Sequence, residues 1–454
     1  MPGALKLFCC GFFAAGFFAH SGLAQTALTW AQIRDRFIAT NPTLVAGRIG
    51  LDESRATEIT AFLRPNPDLT GTIDQINPFA TQLSPSGSAQ DVYRPFAYAL
   101  PFGSISYLHE RQHKRELRRD SAQQATAIAT SQLTDQERSL LFNLRSAFVQ
   151  TLQQKQALTL AQENLSYYDQ VLKLSRDRHD LGDIAQVDLD RLDLQRVQYE
   201  TDIQTATVNL RTAKLQLLML LNDHTPVERL DVTGSYEFPD QVSSLEEFRQ
   251  IALDARPDLR AAVQSIEKAK IDYRLAVANG SADPTFSVDF ARNPPIPVYL
   301  GFSISIPLRI FDRNQGEKAR TQLDIARNQR LRDATEAQVF NDVDSAYATI
   351  ESNLVLLKTY KAHYLEQALR VRDTVFYSYQ NGGASLIDFL QAQQDYRSVR
   401  LNYVNLIGAY LPSPQGTSST MTAPQRRQST RRMAYSRKTK NPQSGMNSNR
   451  RSAS

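Results

Sequence analysis

The sequence predicts a mainly α fold with a small β part, written twice along one chain. Three observations carry this. Two polar stretches, 108–180 and 316–380, keep helical periodicity with almost no Pro or Gly. Four short segments alternate apolar and small or polar residues with period two. Landmarks of the first half return in the second at a spacing near 200 residues. The chain has 454 residues, 41% of them hydrophobic. That is ample for a core and rules out global disorder. Beyond the first twenty residues, no uncharged apolar run approaches the ~20 residues that a membrane-crossing helix needs.

The opening stretch reads as a secretory signal over 1–24. Lys6 precedes an apolar run from Leu7 to Ala19, and Gly22-Leu23-Ala24 supplies small residues at the cleavage positions. Both cysteines, Cys9 and Cys10, lie inside it. Cleavage after Ala24 leaves a chain without disulfides, thiolate metal sites or cysteine nucleophiles. Bulky Phe8 and Cys9 sit where a lipid-anchor signal needs small residues, and the run is short for an uncleaved anchor.

The expected domains are 25–222 as a first repeat, 223–244 as a junction carrying Pro226, Gly234 and Pro239, 245–411 as a second repeat, and 412–454 as a tail. The tail holds nine of the 52 basic residues and no acidic one. Without those nine and Lys6, 42 basic residues face 47 acidic ones, so the basic balance belongs to the tail alone. The tail is expected to be disordered, and the body carries no nucleic-acid signal.

The strand-like segments are 67–77, 92–106, 284–292 and 297–310. In the second, Phe96, Tyr98, Leu100 and Phe102 fall on one face. In the third, Phe286, Val288 and Phe290 do so, and in the fourth Val298, Leu300, Phe302, Ile304, Ile306 and Leu308. A half-buried strand of a soluble sheet shows this pattern too. Aromatic and aliphatic purity on one face of an exported chain fits tilted transmembrane strands, with Phe96, Tyr98, Phe286, Phe290, Phe302 and Ile304 toward lipid. Four strands cannot close a barrel, and lipid does not tolerate open edges, so several chains must pool theirs.

Helices of the predicted length imply a coiled coil. The seam Leu189, Leu192, Arg196, Tyr199, Ile203, Ala206, Leu210, Ala213, Leu217 and Leu220 steps by three and four residues. Phe389, Ala392, Tyr396, Val399, Tyr403, Leu406 and Tyr410 repeat it 200 residues later. Before each seam lies a glycine turn, Leu181-Gly182 and Asn381-Gly382-Gly383, with an acid six residues on at Asp188 and Asp388. Glycine permits the positive φ that ends one helix, and the following residues start another.

One catalytic-looking motif occurs. His109-Glu110-Arg111-Gln112-His113 matches H-E-x-x-H, which on a helix binds zinc through two His with Glu as base. Arg111, Lys114 and Arg115 crowd it with positive charge, so a surface role is expected and no metal or other cofactor is called for.

Over essentially the whole chain after residue 24, these motifs resemble the TolC-like outer-membrane efflux channels. The resemblance rests on Leu28-Thr29-Trp30 leading into Asn41-Pro42, on both glycine turns, and on Ser385 to Gln393. Ile306 to Gly316 looks most like the heavy-metal branch. It implies a homotrimer whose four strands per protomer make a transmembrane β-barrel in the cell outer membrane. A long α-helical coiled-coil barrel would cross the periplasm as a tunnel. The turns at Gly182, Gly382 and Gly383 would close the tunnel and dock a periplasmic adaptor (membrane fusion) protein tied to an inner-membrane pump. Asp388 matches the first acid of the family's constriction, and Gln391 stands at the second. Asp188 and Tyr379 match residues that latch the closed end, whose Arg partner is here Ala384. An axial ring of Asp388 carboxylates is expected to repel itself, raise its own pKa and favour cations. The chain is then a channel and not an enzyme. The rivals are a periplasmic coiled-coil adaptor or structural protein and, more remotely, an exported zinc peptidase.

Overall fold

A computed structural model describes residues 27–83, 87–96, 98–239, 242–293 and 296–412. The expected signal segment and nearly all of the expected basic tail lie outside these residues.

Two short helices open the chain, α1 (Trp30–Thr40) and α2 (Pro42–Ala61). Pro42 sits at the first turn of α2, where its missing N–H costs nothing. The Asn41 side chain accepts from the N–H groups of Thr43 and Leu44 and so caps the same helix. Strands β1 (Asp68–Asp74), β2 (Phe79–Leu83), β3 (Ala89–Tyr93) and β4 (Leu100–Leu108) follow. Helix α3 (Lys114–Asp180) runs 67 residues, about 100 Å at 1.5 Å per residue, and α4 (Gln186–Leu220) returns beside it.

The second half repeats this plan with two strands in place of four and its long helix in two parts: α5 (Leu245–Ala255), α6 (Pro257–Asn279), β5 (Thr285–Asn293), β6 (Ile296–Ser305), α7 (Gln315–Thr359), α8 (Leu365–Gln380) and α9 (Leu386–Tyr410). A π-helical turn, Tyr360–Tyr364, joins α7 to α8, so the helical run to Gln380 is nearly continuous.

The seams bury alternate turns. Leu192, Tyr199, Ala206, Ala213 and Leu217 are buried in α4, and Phe389, Ala392, Tyr396 and Tyr410 in α9. Arg196, the one charge on the first seam, bonds Asp169 across the α3–α4 hairpin at 2.6 Å. A main core gathers midway along the helices around Ile33, Phe37, Leu44, Phe148, Leu217 and Tyr410. The junction joins it through Val227, Leu230, Val232 and Phe238. No helix among the described residues is long and apolar enough to cross a membrane.

The main sheet is antiparallel, in the order β1–β4–β5–β6, leaving β1 and β6 as its edges. Directly paired residues share a face, so register assigns every side chain. One face carries Leu69 and Ile73 from β1, Pro101, Gly103, Ile105 and Tyr107 from β4, Phe286, Val288 and Phe290 from β5, and Leu300, Phe302 and Ile304 from β6. The other carries Thr70, Thr72, Ser104, Ser106, Ser287, Asp289, Ser303 and Ser305. Its Ser104 hydroxyl donates to Asp289 at 2.6 Å. The apolar face lies open to the surroundings, with Phe302 78% exposed.

Two expectations are corrected here. Phe96 and Tyr98 lie in the turn before β4 rather than on a sheet strand, so they are not lipid-facing strand positions. The phase of β4 is also reversed: Leu100 and Phe102 fall on the polar face, Phe102 opposite Ala291 and Thr72. The reason is Gly103. A Cβ there would collide with the Phe290 ring, so that ring fills the apolar slot and Gly103 faces it. The hairpin β2–β3, a separate two-stranded sheet, was not expected.

Arg at Ile105 or Phe302 should cost ~2–4 kcal/mol if that face meets hydrocarbon. Ile105→Arg and Phe302→Arg should therefore reduce assembled oligomer on unheated gels, while Ser303→Arg leaves it near the parental level.

Candidate functional site

Both glycine turns close a helix in the same way. In the first, the Gly182 N–H donates to the His179 carbonyl and the Asp183 N–H to the Arg178 carbonyl, each at 2.9 Å. In the second, the Gly382 N–H donates to Tyr379 and the Gly383 N–H to Ser378, at 3.2 and 2.8 Å. The six-to-one bonds are those of a Schellman motif, which needs a left-handed residue. Gly182 and Gly382 supply it, at φ 87° and 77°. Gly383 has no such φ; a Cβ there would meet the Ser378 hydroxyl at 2.9 Å.

A second core pulls the two hairpin ends together. Tyr168, Val171 and Leu172 of α3 and Leu192 and Tyr199 of α4 pack with Tyr379, Leu386 and Phe389. Tyr379 is buried, stacks on Phe389 at 5.4 Å and lies under the Arg178 guanidinium at 5.9 Å. Burial pushes the Tyr379 phenol up; Arg178 opposes this and the Asp188 charge adds to it. The Asp188 charge thus reaches Tyr379, and Arg178 at the end of α3 places its guanidinium over the same ring. Asp188 itself lies 3.6 Å from Arg191 on its own helix.

Asp388 is exposed and engaged elsewhere. Ser385 caps α9: its hydroxyl accepts from the Asp388 N–H at 3.2 Å, and the Asp388 carboxylate accepts from the Ser385 N–H at 3.0 Å and hydroxyl at 2.7 Å. These bonds hold the Asp388 carboxyl below the usual aspartate range. Within one protomer the shift is therefore downward, opposite to the expected rise. Gln391, on the same helix face, donates to Asp395 at 2.8 Å. The structure brings Tyr379 and Asp188 into one neighbourhood and leaves Asp388 and Gln391 on the exposed face of α9. Sequence reasoning missed Arg178, Asp395 and the Ser385 cap, although Ser385-x-x-Asp388 has capping-box spacing.

The H-E-x-x-H residues do not form a zinc site. They lie between β4 and α3 rather than on a helix. Glu110 makes a two-armed ion pair with Arg118, one arm at 2.8 Å. His109 stacks edge-on against Phe286 at 6.4 Å, and the His113 side chain is 87% exposed. No group of three metal-ligating side chains occurs among the described residues.

The chain matches a family model described as Outer membrane efflux protein over residues 248–415. It is similar to the cobalt-zinc-cadmium resistance protein CzcC of Cupriavidus metallidurans, at 22% identity over 378 residues, 81% of this chain and 84% of the relative. In fold it is similar to a Pseudomonas aeruginosa membrane protein, at TM-score 0.69 and 14% identity, covering 85% of this chain and 88% of the other. The outer membrane protein VceC of Vibrio cholerae matches at TM-score 0.66 and 14% identity, covering 84% and 93%.

Two tests follow from this geometry. Nothing lies within 4 Å of a Cβ added at Gly182 or Gly382, so the cost of Ala there is that of left-handed backbone, about 1–2 kcal/mol. Gly182→Ala and Gly382→Ala should speed limited proteolysis at their own turns and leave the sheet's protection unchanged. Replacing His109, Glu110 and His113 together with Ala should leave bound zinc, measured by elemental analysis, at the parental level.

Proposed function

We propose that this chain, a member of the outer membrane efflux protein family of TolC-like channels, assembles as a homotrimer to export metal cations. It is an outer-membrane channel. The observation that carries the assembly is the open sheet: four strands, one apolar face and two unpaired edges. Three copies placed edge to edge would close a barrel of twelve strands and satisfy every backbone group in lipid. The polar face with Thr70, Ser104, Ser287 and Asp289 would then line the exit.

The paired hairpins would surround a helical tunnel. The turns at Gly182, Gly382 and Gly383, with exposed Leu181, Val187 and Ile387 beside them, would face a periplasmic adaptor joined to an inner-membrane pump. Similarity to CzcC, named for cobalt, zinc and cadmium resistance, supports divalent metals as cargo. The channel moves its cargo without bond chemistry, so no catalytic residue and no cofactor are assigned. A soluble adaptor explains the seams and leaves the open apolar sheet without a purpose. The peptidase reading loses its base to Arg118.

The constriction follows from symmetry. Asp388 sits on the exposed face of α9, and three copies would make a carboxylate ring at the tunnel's closed end. The Ser385 cap would keep that ring charged. Tyr379 and Asp188 would hold the hairpins in the closed packing.

Boiling should convert a heat-labile trimer band of outer-membrane extract into monomer; a monomer band in unheated extract would contradict the assembly. In planar bilayers, Asp388→Asn should weaken block by multivalent cations and Gln391→Asp should strengthen it. Asp188→Ala should raise resting conductance instead. Because the Ser385 cap lowers the Asp388 pKa, its charge is lost at lower pH than that of an uncapped aspartate. Ser385→Ala should move the loss of cation preference to higher pH; an unchanged pH profile would detach the cap from the gate.

A further inference from the structure

The end of the sheet nearest the helices carries a charge pattern that neither the barrel nor the gate explains. At that end β1 begins, β4 ends, β5 begins and β6 ends, as register fixes by pairing Asp68 with Ser106 and Thr285 with both Leu108 and Ser305. The four connections there, 62–67, 109–113, 280–284 and 306–314, contain Arg64, Arg111, Arg309 and Arg313 against Glu110, Asp283 and Asp312. Helix cations already occupy two of the acids: Arg118 pairs with Glu110, and Lys114 with Asp283 at 2.6 Å. Within these connections Asp312 is the acid without a helix cation and reaches Arg309 at 4.0 Å; Asp283 also feels Arg309, and Asp68 opens β1 at the same end. Arg64 and Arg111 are exposed, and neither side chain has an ion-pair partner among the described residues. The connections at the opposite end, 75–99 and 294–295, carry one charge of each sign, Asp91 and Arg94.

The same end has the composition of a membrane interface. Tyr107 and Phe286 pair as the last aromatic couple of the apolar face, and His109 stacks on Phe286 just beyond it. Aromatic residues at this level mark where hydrocarbon gives way to headgroups. Immediately after β6, Leu308 and Phe311 are 79% and 91% exposed, with Arg309 and Arg313 between and after them. Bare apolar side chains interleaved with cations suit the boundary between acyl chains and phosphates, where stems bury and charges stay in the headgroup layer.

We propose that Arg64, Arg111, Arg309 and Arg313 form a collar that binds the phosphate groups of anionic phospholipids at the periplasmic rim of the barrel. Leu308 and Phe311 anchor the collar in the same leaflet. The inference rests on the channel reading for the presence of a bilayer. Each arginine near an anionic surface favours it by about five-fold in binding constant at low salt. Added salt weakens that preference within a Debye length. The collar would fix the depth of the barrel and hold its tilt against the load of the long helices.

The full chain, reconstituted in vesicles of equal phosphatidylcholine and phosphatidylglycerol, tests this by native mass spectrometry of retained lipid. The parent should retain phosphatidylglycerol over phosphatidylcholine by about five-fold or more, and added salt should shrink the excess. The combined variant Arg64→Gln, Arg111→Gln, Arg309→Gln and Arg313→Gln should retain both lipids equally, with its heat-labile oligomer intact. A parent without the excess, or a variant that keeps it, overturns the collar. A variant that loses its oligomer even in pure phosphatidylcholine also overturns it, because the arginines then serve a neighbouring copy. A parent chain that floats with neither vesicle removes the channel reading as well, and flotation distinguishes that failure from the others.

Discussion

An unpaired strand edge cannot stand in hydrocarbon, and most of this architecture follows from that constraint. Each exposed N–H or C=O in lipid costs several kcal/mol. The sheet presents an open row on β1 and another on β6, joined by a continuous apolar face. Burying that face within one protomer would need a covering layer, and among the described residues no helix lies over it, since Leu300, Phe302 and Ile304 are exposed. Pairing edges between copies meets both demands at once. The long helices would then follow the strands into a common ring, because α3 starts six residues after β4 and α7 ten residues after β6.

At the far end the problem is different. A hairpin must reverse without leaving carbonyls unpaired, and both reversals use one glycine in the left-handed region followed by a helix restart. The second restart is the stronger, because Ser385 supplies a side-chain cap that Ala185 lacks. Between the turns, Tyr168 stacks on Tyr199 and Tyr379 on Phe389, so the ends are fastened by aromatic packing. The fastening is local and polar at its margin, with Arg178 over Tyr379 and Asp188 nearby. Such a margin is separate from the main core of the helices, which lies midway along their length.

Much of this was legible in the sequence because it depends on periodicity. The seams through Leu192 and Phe389 and the alternation through Phe286 and Phe302 are properties of one segment at a time. The misreadings lie in the strand segments. Phe102 was assigned to the wrong face because the filling of the Gly103 slot by Phe290 is a cross-strand event. Phe96 and Tyr98 continued the alternation on paper, yet Pro95 and Pro101 bracket a turn there. The H-E-x-x-H residues, expected at a surface, lie in a connection where Arg118, eight residues away, pairs with Glu110. The downward shift of Asp388 within the protomer comes from the Ser385 cap three residues away, whereas the expected repulsion is between copies.

The central claim is that β6 of one copy pairs with β1 of the next. No cysteine follows Cys10, so single cysteines introduced along Asp68–Asp74 and Ile296–Ser305 report this edge directly. Oxidising paired variants in outer membranes should give covalent dimers and trimers and nothing larger, with the strongest bands at alternate positions of one register. Crosslinks confined within single chains, or a ladder extending past three, would contradict closure by three sheets.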